Sequence, residues 1–159
     1  LNDPEAITVL RGLKPDVLLV YGTGRLSKAV LDQCPDGSAN FHNGDPEAYR
    51  GLDCHLWPLF HGDFNALRMT MHRVEPELDT GGIIDRRPVP LQRGMPLSHL
   101  RRSATELTID IAINALSDFK NNGCFTSTSQ SQKGRYYSYM PAQLKDICTR
   151  KFERYTSAL

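Results

Sequence analysis

Asn40 and His42 flank Phe41 in the run Ser38-Ala39-Asn40-Phe41-His42. The two-residue period of an extended strand puts the amide and the imidazole on one face and Phe41 on the other. A hydrogen-bond donor then lies beside a group that titrates near neutrality. The turn Asn43-Gly44-Asp45-Pro46 ends the strand at that point, and in open α/β sheets ligands gather beyond the carboxyl ends of strands. Such a pair also serves as ordinary turn and hydrogen-bond partners, so its weight depends on what else the chain supplies. Leu78-Asp79-Thr80-Gly81-Gly82 supplies a carboxylate within good turn chemistry. His55, His61 and His72 with Cys54 do not place three ligands on one helical or strand face, so no metal site is expected. Gly22-Thr23-Gly24 has part of a dinucleotide-binding fingerprint. Ser27 stands where its third glycine belongs and no acid is suitably placed, so no nucleotide cofactor is expected.

The elements that must hold these groups read as α/β. Asp3-Pro4-Glu5 starts a helix carrying Ile7, Leu10 and Leu13. Val17 to Tyr21 is an unbroken apolar run suited to a strand covered on both faces. Ser27 caps a short helix from Lys28 to Cys34, and a second strand covers Ser38 to His42. Gly44 to Gly51 reads as a loop, and Asp53 to Phe60 as a helix distorted by Pro58. Leu67 to Val74 is a strand with Leu67, Met69 and Met71 on one face and Arg68, Thr70 and His72 on the other. Gly82 to Leu91 is an edge strand bounded by Pro88 and Pro90. Ser98 to Asn122 is a long helix with an apolar stripe of Leu100, Ala104, Leu107, Ile111, Ala115 and Phe119, ended by Gly123. Thr126 to Lys133 is a low-complexity loop, Arg135 to Met140 is extended, and Pro141 opens a last helix.

The 159 residues suit one domain with a sizeable core. A formal charge of +1 supplies no broad field for nucleic acid or lipid. No apolar run is long enough to span a membrane and no leader is visible, so the expected compartment is the cytoplasm. The four cysteines lack a C-x-x-C pair and are expected as reduced thiols.

In order along the chain stand Asn40-Phe41-His42, then Pro46-x-x-Tyr49-Arg50-Gly51-Leu52-Asp53-x-His55, then Met71-His72-Arg73-Val74, then Glu77-Leu78-Asp79-Thr80-Gly81-Gly82-Ile83-Ile84. This series resembles the folate-dependent formyltransferases: glycinamide ribonucleotide transformylase, methionyl-tRNA formyltransferase, formyltetrahydrofolate hydrolase and the sugar N-formyltransferases. The resemblance covers Pro15 to Leu91. It implies a Rossmann-like fold with a mostly parallel sheet, long C-terminal helices, and 10-formyltetrahydrofolate as cosubstrate. It makes Asn40, His42 and Asp79 the catalytic residues. Asn40 would donate to the oxyanion of a tetrahedral intermediate, a protonated His42 would add a charge-assisted hydrogen bond, and Asp79 would orient His42 and shuttle protons.

The resemblance also assigns the pterin ring to Tyr21, Gly22, Thr23, Gly24, Arg25 and Leu26 on one side, and to Val74, Glu75, Pro76, Glu77 and Leu78 on the other. The alternative for the first of these loops is a plain strand-to-helix turn. Tyr49, Arg50, Asp53 and His55 stand where the family has polar residues facing the acceptor. Arg86, Arg87, Arg101 and Arg102 read as solvated charges.

Where familiar members of the family continue with Pro-Ser-Leu-Leu-Pro, this chain has Asn43-Gly44-Asp45-Pro46. The change points away from purine and tRNA acceptors toward a small-molecule amine such as a nucleotide-linked amino sugar. The residues after Asp79 read as helical, so the oligonucleotide-binding barrel of a tRNA enzyme is not expected among them. The family's opening strand-glycine-helix unit lies before Leu1, so residues 1–159 are expected as a single catalytic domain truncated at the N-terminus, lacking its first strands and exposing an edge to a second copy. Two alternatives stand beside transfer: hydrolysis of the same folate, and a noncatalytic domain that keeps the fold.

Overall fold

Pro4 at the first helical position and Glu5 in the first turn start α1 (Pro4–Leu13) in the computed structural model, which describes residues 1–159. Asp3 takes the extended cap conformation, but its side chain makes no cap bond; its carbonyl accepts the Ile7 N–H at 3.0 Å. β1 (Leu18–Tyr21) follows, then the short α2 (Lys28–Leu31) and β2 (Ser38–His42). β1 lies parallel to β2 with Val20 beside Asn40 and Tyr21 beside Phe41.

The remaining elements are β3 (Tyr49–Gly51), α3 (Trp57–His61), β4 (Arg68–Arg73), β5 (Ile83–Pro88), α4 (Leu97–Asn122), β6 (Arg135–Tyr137) and α5 (Ala142–Ser157). The main sheet runs β1-β2-β4-β5. Two expectations need correcting here. The sheet is mixed and not mostly parallel, because β4 is antiparallel to both β2 and β5. The loop expected over Gly44 to Gly51 ends in β3, which pairs in parallel with β6 in a separate two-stranded sheet. Three residues of strand carry too little periodicity to be read locally; their partner lies far along the chain. Pro58 also distorts nothing, since α3 starts at Trp57 and the proline sits in its first turn.

The alternation expected along β4 packs as a two-sided wall. Met69 and Met71 are fully buried, together with Ala39, Phe41, Leu107, Ile111 and Phe152, in the main core between the sheet, α4 and α5. Thr70 and His72 face the other way and are buried too. α4 buries Leu100, Ala104, Leu107, Ile111 and Ala115, and Gly123 ends it in the left-handed conformation. A smaller cluster of Val20, Leu26 and Val30, with Ile7, Leu10 and Val74 against it, fixes α1 and α2 beside β1. No helix is long and apolar enough to cross a membrane, and all four cysteines are free thiols.

Candidate active site

Register builds the site. Antiparallel pairing of β2 and β4 sets Asn40 directly opposite His72 and His42 opposite Thr70. All four side chains share the face turned away from the methionine core, because Ala39, Phe41, Met69 and Met71 occupy the other. Asn40 is half-buried, His42 and His72 are buried, and Thr70 Oγ1 donates to the Gly44 carbonyl at 2.7 Å.

Asp79 enters from the loop after β4. Its backbone is left-handed, with φ of 56°. The loop folds so tightly onto β4 that a Cβ at Gly81 would lie 1.8 Å from the Arg73 carbonyl oxygen, so only glycine fits there. One carboxylate oxygen of Asp79 accepts the Gly51 N–H at 2.8 Å. The other stands 3.6 Å from His42 Nδ1 and 3.4 Å from His72 Nε2. Burial favours the protonated carboxyl, but the His72 hydrogen bond, the His42 charge and the Gly51 N–H outweigh it and hold the pKa down at about 2. Asp79 is an anion at neutral pH, only 9 % exposed.

Each imidazole has one nitrogen committed to the backbone. His42 Nε2 lies 2.8 Å from the Tyr49 carbonyl, an acceptor only, so Nε2 carries a proton. Burial pushes the His42 pKa below the ordinary imidazole value, with Asp79 opposing. The resting His42 is therefore neutral and presents a lone pair at Nδ1 beside an anion. The charge-assisted hydrogen bond expected of a protonated His42 becomes available once His42 has accepted a proton.

His72 Nδ1 lies 2.8 Å from the Arg73 carbonyl and is protonated for the same reason, while Nε2 lies 3.1 Å from Asn40 Nδ2. A neutral His72 accepts from the Asn40 amide and leaves the second N–H of Asn40 free to donate. A protonated His72 donates to Asp79 and requires the amide oxygen of Asn40 to turn inward. His72 thus belongs to the centre although sequence reading assigned it no catalytic part. The available signal was its place on the same face of β4 as Thr70, but which β2 residue it faces depends on register.

The two loops expected to sandwich a pterin meet in space. Arg25 Nε donates to the Pro76 carbonyl, and Leu26 and Val74 share one apolar cluster. Asn2 pins the first loop from outside, donating to the Arg25 carbonyl and accepting the Ser27 N–H, both at 2.8 Å.

Of the four residues expected at the acceptor, Tyr49, Arg50 and Asp53 hold partners within the chain and His55 borders a cavity. Tyr49 is buried, stacks on Tyr137 with centroids 5.4 Å apart, and donates its hydroxyl to Asp63 at 3.2 Å. Asp53 accepts the Met140 N–H at 2.9 Å. His55 borders a cavity of about 10 Å³ with Asn43, Cys54, Arg68 and Arg101, room for about one water. Burial lowers its pKa to about 4, with Arg101 and Lys145 lowering it further against Asp53. Arg50 is buried, donating from Nε to the Gly134 carbonyl at 2.8 Å and from Nη1 to the Leu78 carbonyl at 3.0 Å. The polar atoms of Tyr49, Arg50 and Asp53 brace the surrounding loops. Arg86 likewise is no solvated charge: it joins Asp45 at 2.8 Å and Glu47 at 2.5 Å.

An α/β domain with an amide, two imidazoles and a buried carboxylate at a strand end is equipped to move a proton and to donate to a developing oxyanion. The chain belongs to the formyl transferase family, whose model matches residues 1–116. A methionyl-tRNA formyltransferase of Akkermansia muciniphila is 29% identical over 146 residues, 91% of this chain and 45% of that protein. The chain thus spans under half the length of that curated relative. The fold is shared with HypX from Aquifex aeolicus in complex with tetrahydrofolic acid, at a TM-score of 0.70 and 22% identity over 98% of this chain and 28% of that one. It is shared also with the formyltransferase PseJ from Anoxybacillus kamchatkensis in complex with UDP-4,6-dideoxy-4-formamido-L-AltNAc and tetrahydrofolate, at a TM-score of 0.63 and 22% identity over 77% of this chain and 64% of that one.

Proposed function

We propose that the chain carries the chemistry of a folate-dependent N-formyltransferase, moving the formyl group of 10-formyltetrahydrofolate to a primary amine. The observation that carries this is the meeting of His42 and His72 around one carboxylate oxygen of Asp79, with Asn40 joined to it through His72, in a chain of the formyl transferase family. The amine nitrogen attacks the formyl carbon, and the carbonyl electron pair moves onto oxygen. Asn40 donates its free N–H to that oxyanion. The attacking amine loses its proton to His42 Nδ1, and Asp79 stabilises the imidazolium so formed. Collapse re-forms the carbonyl and breaks the bond to N10 of the folate, which takes the proton back from His42. The pterin lies between the Tyr21–Leu26 and Val74–Leu78 loops, which Arg25 bridges.

The acceptor in this proposal is a small amine, with a nucleotide-linked amino sugar as the first to try. The sugar-formylating fold neighbour and the absence of a broad positive charge support it. A methionyl-tRNA acceptor is the second reading, favoured by the names of the curated relatives. β1 ends the sheet with Leu19 and Tyr21 partly exposed, and the proposal includes pairing of that edge with a second copy, read by light scattering. Calorimetry with a stable 10-formyltetrahydrofolate analogue tests the folate half. Binding by the parent and weaker binding by Asp79→Ala are expected. No binding by either would leave a noncatalytic domain, and formate release without an amine would mean hydrolysis.

A further inference from the structure

The segment after α4, polar and without pattern in sequence, is a strap across the back of the site. Thr128 exchanges both backbone hydrogen bonds with Ile83, at 2.8 and 2.9 Å. Ser131 donates from its N–H at 2.6 Å and its hydroxyl at 2.7 Å to the Glu47 carboxylate, and Gln132 donates to the Glu47 carbonyl at 3.1 Å. Gly134 and Arg135 continue onto the carbonyls of Pro46 and Ala48. Between these anchors lies Gln130. Its Nε2 donates to two carbonyls of the catalytic loop, those of Asp79 and Gly81, each at 2.9 Å. Arg50, held to the strap through the Gly134 carbonyl, donates to the next carbonyl upstream, that of Leu78.

We infer that Gln130 is a positioning residue for Asp79: with Arg50 it clamps the carbonyls of Leu78, Asp79 and Gly81 in the catalytic loop and aims the carboxylate at His42 and His72. A left-handed non-glycine backbone is disfavoured unless its surroundings hold it. The peptide carbonyls on either side of the turn need donors once they leave solvent. A single side-chain amide offers two N–H groups, and here it satisfies one carbonyl with each. Loss of these bonds lets Asp79 relax toward an ordinary turn and withdraw from the imidazoles. The inference rests on the catalytic reading of Asp79 given above.

The test compares Gln130→Met, which keeps length and neutrality but removes both donors, with Gln132→Met on the same strap and with Asp79→Asn. The imidazole 15N signals of His42 and His72 are followed through a pH titration of the chain. Asp79→Asn is expected to lower the His42 midpoint, because a close opposite charge is removed. Gln130→Met should move the His42 midpoint in the same direction, and Gln132→Met should leave it in place at similar thermal stability. In turnover with whichever amine proves to be the acceptor, Gln130→Met should lower kcat by about 100-fold, as for a catalytic group displaced by an ångström, with KM for the folate unchanged. If Asp79→Asn moves the imidazoles and Gln130→Met does not, the positioning role is overturned and the catalytic reading stands. If Asp79→Asn itself moves nothing, the coupling on which that reading depends fails. Equal shifts in Gln130→Met and Gln132→Met, or failure of Gln130→Met and Gln130→Ala to fold, would make the strap a folding element only.

Discussion

With His72 neutral, Asn40 holds one N–H toward His72 and leaves the other free, and the free one has the greater kinetic weight. Asn40→Ala should lower kcat by about 100- to 1,000-fold, the usual cost of one oxyanion donor, with the fold intact by circular dichroism. Asp79 has a folded pKa of about 2, below its unfolded value. Its charged form therefore contributes stability above pH about 4, about 2 kcal/mol, which is lost as pH falls toward 2. Urea titrations across that window should show a shallower pH dependence for Asp79→Asn, on top of a less stable protein at pH 7. His55 has the same sign for the opposite chemical reason. Its folded pKa of about 4 lies below the ordinary imidazole value because burial and two cations disfavour its charge. The stability linked to neutral His55 is complete above pH about 6.5 and is lost as pH falls toward 4. His55→Gln should flatten the stability profile between those values without abolishing the slope, since His42 titrates in the same direction.

Among the elements, β2 and β4 matter through their register and the loops through their contacts. The Asp79 loop approaches β4 so closely that Gly81→Ala would press a methyl group into the Arg73 carbonyl. A destabilisation of about 1–3 kcal/mol is expected from the clash, with activity lost in proportion to the displacement of Asp79. Met71→Ala acts on the other face of the same strand. Met71 is fully buried in the main core, so about 2–5 kcal/mol of stability should be lost, while the imidazole signals of the surviving folded protein stay near their original positions. The contrast separates damage to the core from damage to the site in a single strand.

Across the whole molecule, a formal charge of +1 gives little long-range attraction for a polyanion. Affinity for a small amine acceptor should therefore change little with salt, whereas an RNA acceptor would show log K falling steeply with log salt as counterions are released. The binding isotherm at two ionic strengths distinguishes the two acceptors proposed above. What was legible in the sequence is what short-range pattern determines. The period of two set Asn40 and His42 on one face, turn chemistry placed Asp79, and the stripe from Leu100 to Ala115 defined α4 with its glycine stop. The tertiary structure decided the rest. His72 entered the centre because β2 and β4 pair antiparallel in one register. Arg50 and Gln130 became braces because loops from three parts of the chain meet behind Asp79. Local sequence dictates which way a side chain points from its own strand; which strand or loop lies opposite is set by burial of the whole apolar core, and no window of neighbouring residues contains that information.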